Sequence, residues 1–310
     1  MLSRVAQRIY WIARYLERAE NTARSVNVNG HLLLDLPKDV SLGWEPLIEM
    51  TGAAERYARH YRSYREQNVV QFLLSDRNNP GSLLCSLDLA RENARATRDV
   101  IPSGAWEGIN RLYLDACDAL PDALARRNRQ QFLARIIESV QRITGAFAGT
   151  MLHDAGYQFL RMGRNLERAD MTTRIIDVRS GSLIQNRDDR AGAWRAVQWM
   201  SVLRSLTAYE SYERLGHGPV ERARVLRMLI CERTFPRAVA HCVAMVETCL
   251  SRLPNSEDIQ EQAVDLLASL AELDVDGVEL DDLHELVESL QADLHALHDA
   301  LAARYFRAEG

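Results

Sequence analysis

The chain has 310 residues, room for two domains or one large one, and its 47% apolar and 26% charged content is that of a folded globular protein. A formal charge of −5 excludes the global basic field by which proteins attract nucleic acid, and no apolar run reaches the length of a membrane span. The N-terminus passes from Ser3 and Arg4 straight into an amphipathic pattern bearing Glu17 and Glu20. That pattern speaks against a leader peptide, and a cytoplasmic protein is expected.

Periodicity is helical almost throughout. A first helix is predicted from Ser3, its N-cap, to about Leu34, with Val5, Ile9, Ile12, Leu16 and Ala23 on one stripe and Pro37 as its stop. A second is predicted from about Ser41 to Glu66, followed by the short apolar run Val69 to Leu74. Asn79-Pro80 opens the next helix with Pro80 in its first turn; it carries Leu83, Leu87, Ala90 and Ala94 and ends before Pro102. Helices follow over 103–120 and 129–179, with Asp154-Ala155-Gly156 as a point of interruption in the latter. Gln185 to Gly192 reads as a polar turn, and further helices are expected over 193–215, 219–231, 236–252, 256–271 and 280–306. No alternating strand pattern stands out, so the expected fold class is all-α, a multi-helix bundle.

Cys85, Cys117, Cys231, Cys242 and Cys249 form no Cys-x-x-Cys pair, are odd in number and sit at apolar helical positions. Reduced, mostly buried thiols are expected, not disulfides or a zinc site. Lys38 is the only lysine. Nucleotide bias accounts for that, and so does a need for fixed, bidentate guanidinium contacts that lysine cannot make.

An internal repeat organises the chain. Arg14-Tyr-Leu-Glu-Arg-Ala-Glu-Asn-Thr-Ala-Arg24 aligns without gaps on Arg164-Asn-Leu-Glu-Arg-Ala-Asp-Met-Thr-Thr-Arg174, identical at seven of eleven positions. Trp44, Glu55 and Tyr57 then fall on Trp199, Glu210 and Tyr212, and Asp76, Arg77 and Pro80 on Glu232, Arg233 and Pro236. The expected bundle is therefore built from two pseudo-symmetric repeats, 1–128 and 129–310, the second including a connecting helix, packed as one globular unit.

On a helix, Arg14, Glu17, Arg18, Asn21 and Arg24 lie three or four residues apart and project from neighbouring parts of one face, with Glu20 beside them. Arg161, Arg164, Glu167, Arg168, Asp170 and Arg174 do the same in the second copy. Two readings stand open. The charges form a reciprocal ion-pair lock between the two copies, of the kind retained for register. Alternatively they form an anion pocket in which arginines bind a phosphate or carboxylate and the acids orient them, act as a base or hold a cation. Arg91, Glu92, Asn93 and Arg95 repeat the chemistry on the fourth helix, and Asp76 and Arg77 stand just before it. His153-Asp154 and Cys231 are weaker candidates, and His295 and His298 share a face without a third metal ligand. Gly-rich phosphate loops and the common hydrolase and zinc-protease motifs are absent, so no cofactor is expected to bind through a recognisable motif.

Leu16-Glu-Arg-Ala-Glu-Asn-Thr-Ala-Arg24, Ala90-Arg-Glu-Asn-Ala-Arg95 and Leu166-Glu-Arg-Ala-Asp-Met-Thr-Thr-Arg174, with Asp76-Arg-Asn-Asn-Pro80 and Trp106-Glu107 in order, resemble the bacterial alpha-E domain family over nearly the whole chain. Asn78-Asn-Pro-Gly81 departs from the pattern, in which a small hydroxyl residue follows the proline; Ser82 stands one place later. The resemblance implies an accessory partner of a circularly permuted ATP-grasp protein, and often of a transglutaminase-like peptidase, in a peptide- or amide-forming system. ATP and Mg would then be bound by the partner. The alternatives are an enzyme acting on an acidic peptide or acyl phosphate in the Arg/Glu pocket, and a purely structural interaction module. No membrane or nucleic-acid partner is expected.

Overall fold

A computed structural model of the chain describes residues 3–35, 43–184, 191–216 and 218–306. Among them every regular element is helical, fourteen α-helices and one π-helical segment, with no strand. No helix of the described residues is long and apolar enough to cross a membrane. By its contacts the chain divides into two compact units, Met1–Arg164 with Tyr305–Gly310, and Asn165–Arg304.

In the first unit, α1 (Ser3–Asp35) follows the predicted first helix, while the proline stop at Pro37 lies outside the described residues. From Ile9 to Val26 only Trp11, Tyr15 and Arg18 are even half exposed. This helix is enclosed on nearly every side, unlike an amphipathic surface helix with one apolar stripe. It packs against α5 (Leu83–Arg95) and α7 (Arg126–Thr150), and α6 (Ser103–Ala123) packs on both α5 and α7.

The single helix predicted over 41–66 is instead α2 (Glu45–Met50) and α3 (Ala54–His60), its expected start at Ser41 lying outside the described residues. Gly52 separates them at φ +63°, a conformation that suits a residue without Cβ and stops the helix. The apolar run Val69 to Leu74 lies within α4 (Glu66–Leu74), where Val69, Val70, Phe72, Leu73 and Leu74 are all buried. Tyr57 stacks between Tyr61 and Tyr64, with ring centroids 4.9 and 5.0 Å away, meets Phe72 edge-on and donates its hydroxyl to Ser63 O at 2.8 Å. Burial pushes that phenol up to about 12.

Helix α5 begins at Leu83, not at Pro80. Ser82 is the true cap, its Oγ accepting from Cys85 N at 3.3 Å, while Asn79 and Pro80 form the preceding turn. The long helix predicted over 129–179 is two, α7 and α8 (Ala155–Ile184). Asp154 breaks it by accepting from Gly156 N at 2.9 Å, the usual act of an N-cap carboxylate. Buried Arg129 fixes the start of α7, donating to Glu66 at 2.7 Å and to Leu124 O at 2.9 Å and lying over the Trp44 ring. Where α8 crosses α1 there is no room for a side chain. A Cβ on Gly163 would sit 2.3 Å from Tyr10 O.

In the second unit, the helix predicted over 193–215 divides into α9 (Ala191–Ser205) and α10 (Tyr209–Arg214), with Thr207 between them at φ +54°. Ala191 and Gly192, read from sequence as turn, begin α9, and the rest of that predicted turn, 185–190, lies outside the described residues. The helix predicted over 219–231 is α11 (Arg222–Leu226) running into a π-helical turn, Arg227–Cys231. Next come α12 (Val239–Leu250), α13 (Glu257–Glu272) and α14 (Leu280–Tyr305). Helix α12 starts at Val239, after Pro236 and not at it. Tyr212 is fully buried and donates to Pro219 O at 2.9 Å, and Thr172 of α8 donates to Arg237 O at 2.8 Å, tying α8 to the turn before α12. Arg304 closes the far end of α14 onto the start of α13 through Asn255 O and Asp258.

Two tests follow from this packing. Gly163→Ala drives a methyl into the Tyr10 carbonyl and should cost about 2–3 kcal/mol or more in urea unfolding, the upper range for overpacking. Gly145→Ala, in the open middle of α7, should instead gain about 0.5–1 kcal/mol. The second test concerns His284, whose Nδ1 lies 2.7 Å from Asp177 and whose Nε2 lies 3.4 Å from Glu288. Asp177, chiefly through its hydrogen bond, holds this imidazole above its ordinary 6.5, with Glu288 and Glu285 adding to the effect. The folded state thus binds the proton more tightly than the unfolded chain. The associated stabilisation is fully present below pH 6.5 and fades as pH rises through the raised value. An NMR titration should place the His284 midpoint above 6.5, and Asp177→Asn should bring it down.

Candidate functional site

The first Glu-Arg motif sits on the enclosed stretch of α1, so its charges go into the interior with it. Arg14, Glu17, Glu20, Asn21 and Arg24 are all buried, Glu17 to 2% exposure, and only Arg18 remains half exposed. Charges so deeply withdrawn from water must be paired or hydrogen-bonded, because a lone buried ion costs several kcal/mol.

The partners come from α1 itself and from its neighbours. Arg14 donates to the Tyr10 hydroxyl at 3.0 Å and lies over the Tyr10 and Trp11 rings. Arg18 lies over Tyr15. Glu20 and Arg24, one turn apart, form a close buried ion pair, and Gln141 of α7 reaches the same carboxylate at 3.5 Å. Glu17 lines a cavity with Thr144 and Phe147 of α7 and Leu160 and Arg164 of α8. That cavity measures about 20 Å³, room for one water molecule and for nothing larger. Gly163 explains how Arg164 comes to line it, since the close crossing at Tyr10 O brings the next residue of α8 beside Glu17.

The second motif lies on α8. Arg161 and Arg164 fall in the first unit, and Glu167, Arg168, Asp170 and Arg174 in the second. Glu167 is 1% exposed, while Arg161, Arg164, Arg168, Asp170 and Arg174 are half-buried. Arg174 Nε donates to both Asp170 oxygens at 3.0 Å, so the acid and arginine that match Glu20 and Arg24 also close on each other along their helix. Thr173 turns back to Asp170 O at 2.8 Å.

The α5 residues gather elsewhere in the first unit. Arg91 donates to Asn110 of α6 at 2.7 Å, lies over the Tyr113 ring and contacts Glu92, which also binds Arg95 at 2.6 Å. Asn93 caps back onto Leu89 O. Exposed Arg77 reaches the Tyr113 hydroxyl. Asp76 serves its own turn, accepting from Tyr61 OH and Asn78 N, both at 2.8 Å. This is a solvent-facing patch on α5 and α6, distinct from the buried α1 cluster.

Among the weaker candidates, His153 stacks on Tyr157 and meets Ala148 O, and Asp154 caps α8. Burial raises the Cys231 thiol above its ordinary value, which disfavours the reactive thiolate. Among the described residues no three of His, Cys, Asp and Glu gather closely enough to hold a metal ion. Sequence reasoning missed Gly163, whose signal is a glycine immediately before the second motif. It also missed Arg129, which entered only as the start of a predicted helix.

Comparison with known proteins places these features in a wider group. The Alpha-E family model, described as a predicted alpha-helical domain with a conserved ER motif, matches residues 1–306. A relative from Mycobacterium bovis is 24% identical over 333 aligned residues, and two from Mycobacterium tuberculosis are 24% and 23% identical; each is named only as an uncharacterized protein. Each alignment takes in 97% of this chain but 36% of the relative, so the chain spans about a third of the length of the curated relatives it matches. No solved structure matches it.

A double-mutant cycle measures how far the buried pair holds α1 in place. Glu20→Gln alone should lose about 3 kcal/mol of stability, since it removes the carboxylate charge that faces the buried Arg24 guanidinium. Arg24→Met added to it should lose clearly less than Arg24→Met alone, giving a coupling of at least about 1 kcal/mol. The equivalent cycle on the exposed Glu92–Arg95 pair should give no more than about 0.5 kcal/mol.

Proposed function

The chain belongs to the Alpha-E family, and from that premise we propose that it is an accessory helical partner of an ATP-grasp amide- or peptide-forming ligase. The ligase binds ATP and Mg and activates a carboxylate as an acyl phosphate. The present chain contributes a folded surface, and a transglutaminase-like peptidase is a further partner. This reading places the system in the bacterial cytoplasm.

The observation that carries the proposal is the length relation. Curated relatives hold the equivalent of this whole chain as about a third of a longer polypeptide, as expected of a module that works beside another. The buried α1 motif supports the same view. Within the first unit, Glu17 lines a cavity of about 20 Å³, a size that suits a packed network and not a substrate.

We further read the chain as two copies of one seven-helix unit. Glu66 and Arg222 open helices, Leu83 and Val239 open the next, and the interval is the same for both pairs. Trp44 and Trp199 are both buried, and Tyr57 and Tyr212 each donate to a backbone carbonyl a few residues on. The Asp76 and Glu232 carboxylates each accept from the amide two residues later, at 2.8 Å.

The test is co-purification of the chain with an ATP-grasp protein from the same organism, followed by an ATP-dependent ligation assay. The pair together should form product at least about tenfold faster than the ligase alone, a gain of roughly 1.4 kcal/mol in the barrier. The chain alone should give none. Arg168→Lys should bind and turn over like wild type if its role is structural, and a selective loss of turnover would move that arginine into the working site. Turnover by the chain without the ligase would overturn the accessory reading in favour of an enzyme.

A further inference from the structure

Helix α7 begins with charges of the sign its own dipole disfavours. Its first turn is Arg126-Arg127-Asn128-Arg129, with no acid in it and no side-chain cap from Ala125. A helix start carries partial positive charge and attracts negative groups, so guanidiniums gathered there repel the helix end and one another. Arg129 is settled by Glu66 and by Leu124 O. Among the described residues no carboxylate forms an ion pair with Arg126 or Arg127.

That turn borders a cavity of about 90 Å³, open to solvent and walled by α1, α4 and α7. It has the volume of about three water molecules in the liquid, enough for one phosphate-sized ion. Arg126, His31, Asn27 and Gln130 line it, and each carries an N–H able to donate into it. Glu66 is the one acid among the described residues of the lining, and Arg129 takes up its charge at 2.7 Å. Two further features point to an occupant. Arg129, 7% exposed, lines the same cavity, and among the described residues its Nε–H has no acceptor. A buried donor left unpaired costs free energy, and native structures usually meet it with a water or a bound group. Gly30 also lines the cavity from within α1, where a glycine weakens the helix. Nothing lies within 4 Å of where its Cβ would stand, so close packing does not demand a glycine there. A side chain at that position would take up cavity volume.

We propose that this cavity binds a phosphate-like oxyanion, as the free ion or as the phosphoryl head of a larger ligand entering from the solvent side. Arg126 supplies the charge-assisted contact, while His31, Asn27 and Gln130 donate to the remaining oxygens. Arg129, held by Glu66, adds positive potential from the cavity wall. The donors come from two helices, α1 and α7, which suits the three divergent oxygens of a tetrahedral phosphoryl group better than the two coplanar oxygens of a carboxylate. The site is built within the first unit and owes nothing to a ligase partner.

The probes are inorganic phosphate, phenyl phosphate and acetate, each titrated into the full chain at low salt by isothermal titration calorimetry. Inorganic phosphate should bind saturably at one site with a Kd of about 1 mM or tighter, and acetate at least about tenfold more weakly. Phosphate binding without phenyl phosphate binding identifies the occupant as the free ion, and binding of both identifies it as a phosphoryl head group. Arg126→Gln changes an exposed side chain and should weaken phosphate binding by about tenfold or more. Gly30→Leu fills the cavity and should abolish binding, with circular dichroism and thermal midpoint close to those of wild type. Arg127→Gln removes the same charge from the same turn but outside the cavity lining, and should cost less than about threefold. Failure of inorganic phosphate to bind saturably up to about 10 mM would overturn the proposal. So would acetate binding as tight as that of phosphate, or equal losses in Arg126→Gln and Arg127→Gln, which would show diffuse attraction to a basic helix start. The titration needs no ligase, so its outcome stands apart from that of co-purification.

Discussion

The feature on which the rest depends is the enclosure of α1 together with its charges. A helix surrounded on nearly every side is ordinarily apolar all round. This one carries Arg14, Glu17, Glu20, Asn21 and Arg24 inside. Each of those groups constrains what surrounds it. Glu20 takes Arg24 and Gln141, Arg14 takes the Tyr10 hydroxyl and two aromatic rings, and Glu17 shares its small cavity with Thr144 and Arg164. Gly163 belongs to the same set of constraints, because any side chain there would push α8 away from Tyr10 and Arg164 away from Glu17. Such a network adds less net stability than an apolar core of the same volume, but it penalises every wrong register heavily. It therefore specifies which helix face meets which.

With its charges committed inward in the first unit, the chain's outward character is set elsewhere. The Arg91–Asn110–Tyr113 patch is solvent-facing and does not involve the buried motif. The residues that hold the shape of the first unit are thus separate from those that face solvent. That division suits a protein whose relatives carry the equivalent segment as part of a longer chain.

Much of the fold was legible because it rests on period. The stripe of Ile9, Ile12, Leu16 and Ala23 locates α1 correctly, and the helical period throughout gives the all-α class. The misplaced boundaries are local events that period does not encode: a left-handed Gly52, a left-handed Thr207, and Ser82 capping where Pro80 looked the stronger signal. The candidate site was legible in composition but not in placement. Spacing shows that Arg14, Glu17, Arg18, Asn21 and Arg24 share a side of the helix. It does not show that this side is buried too, since Leu16, Ala19 and Ala23 already supply an apolar face.

The central claim is that the buried Glu-Arg network makes α1 the most firmly held element of the first unit. Native-state hydrogen exchange of the α1 amides tests it most directly. The amides from Arg14 to Arg24 should exchange only through global opening, with a free energy equal to that from urea unfolding of the same protein. Exchange of those amides through local openings several kcal/mol below the global value, while α6 or α7 stays protected, would contradict it.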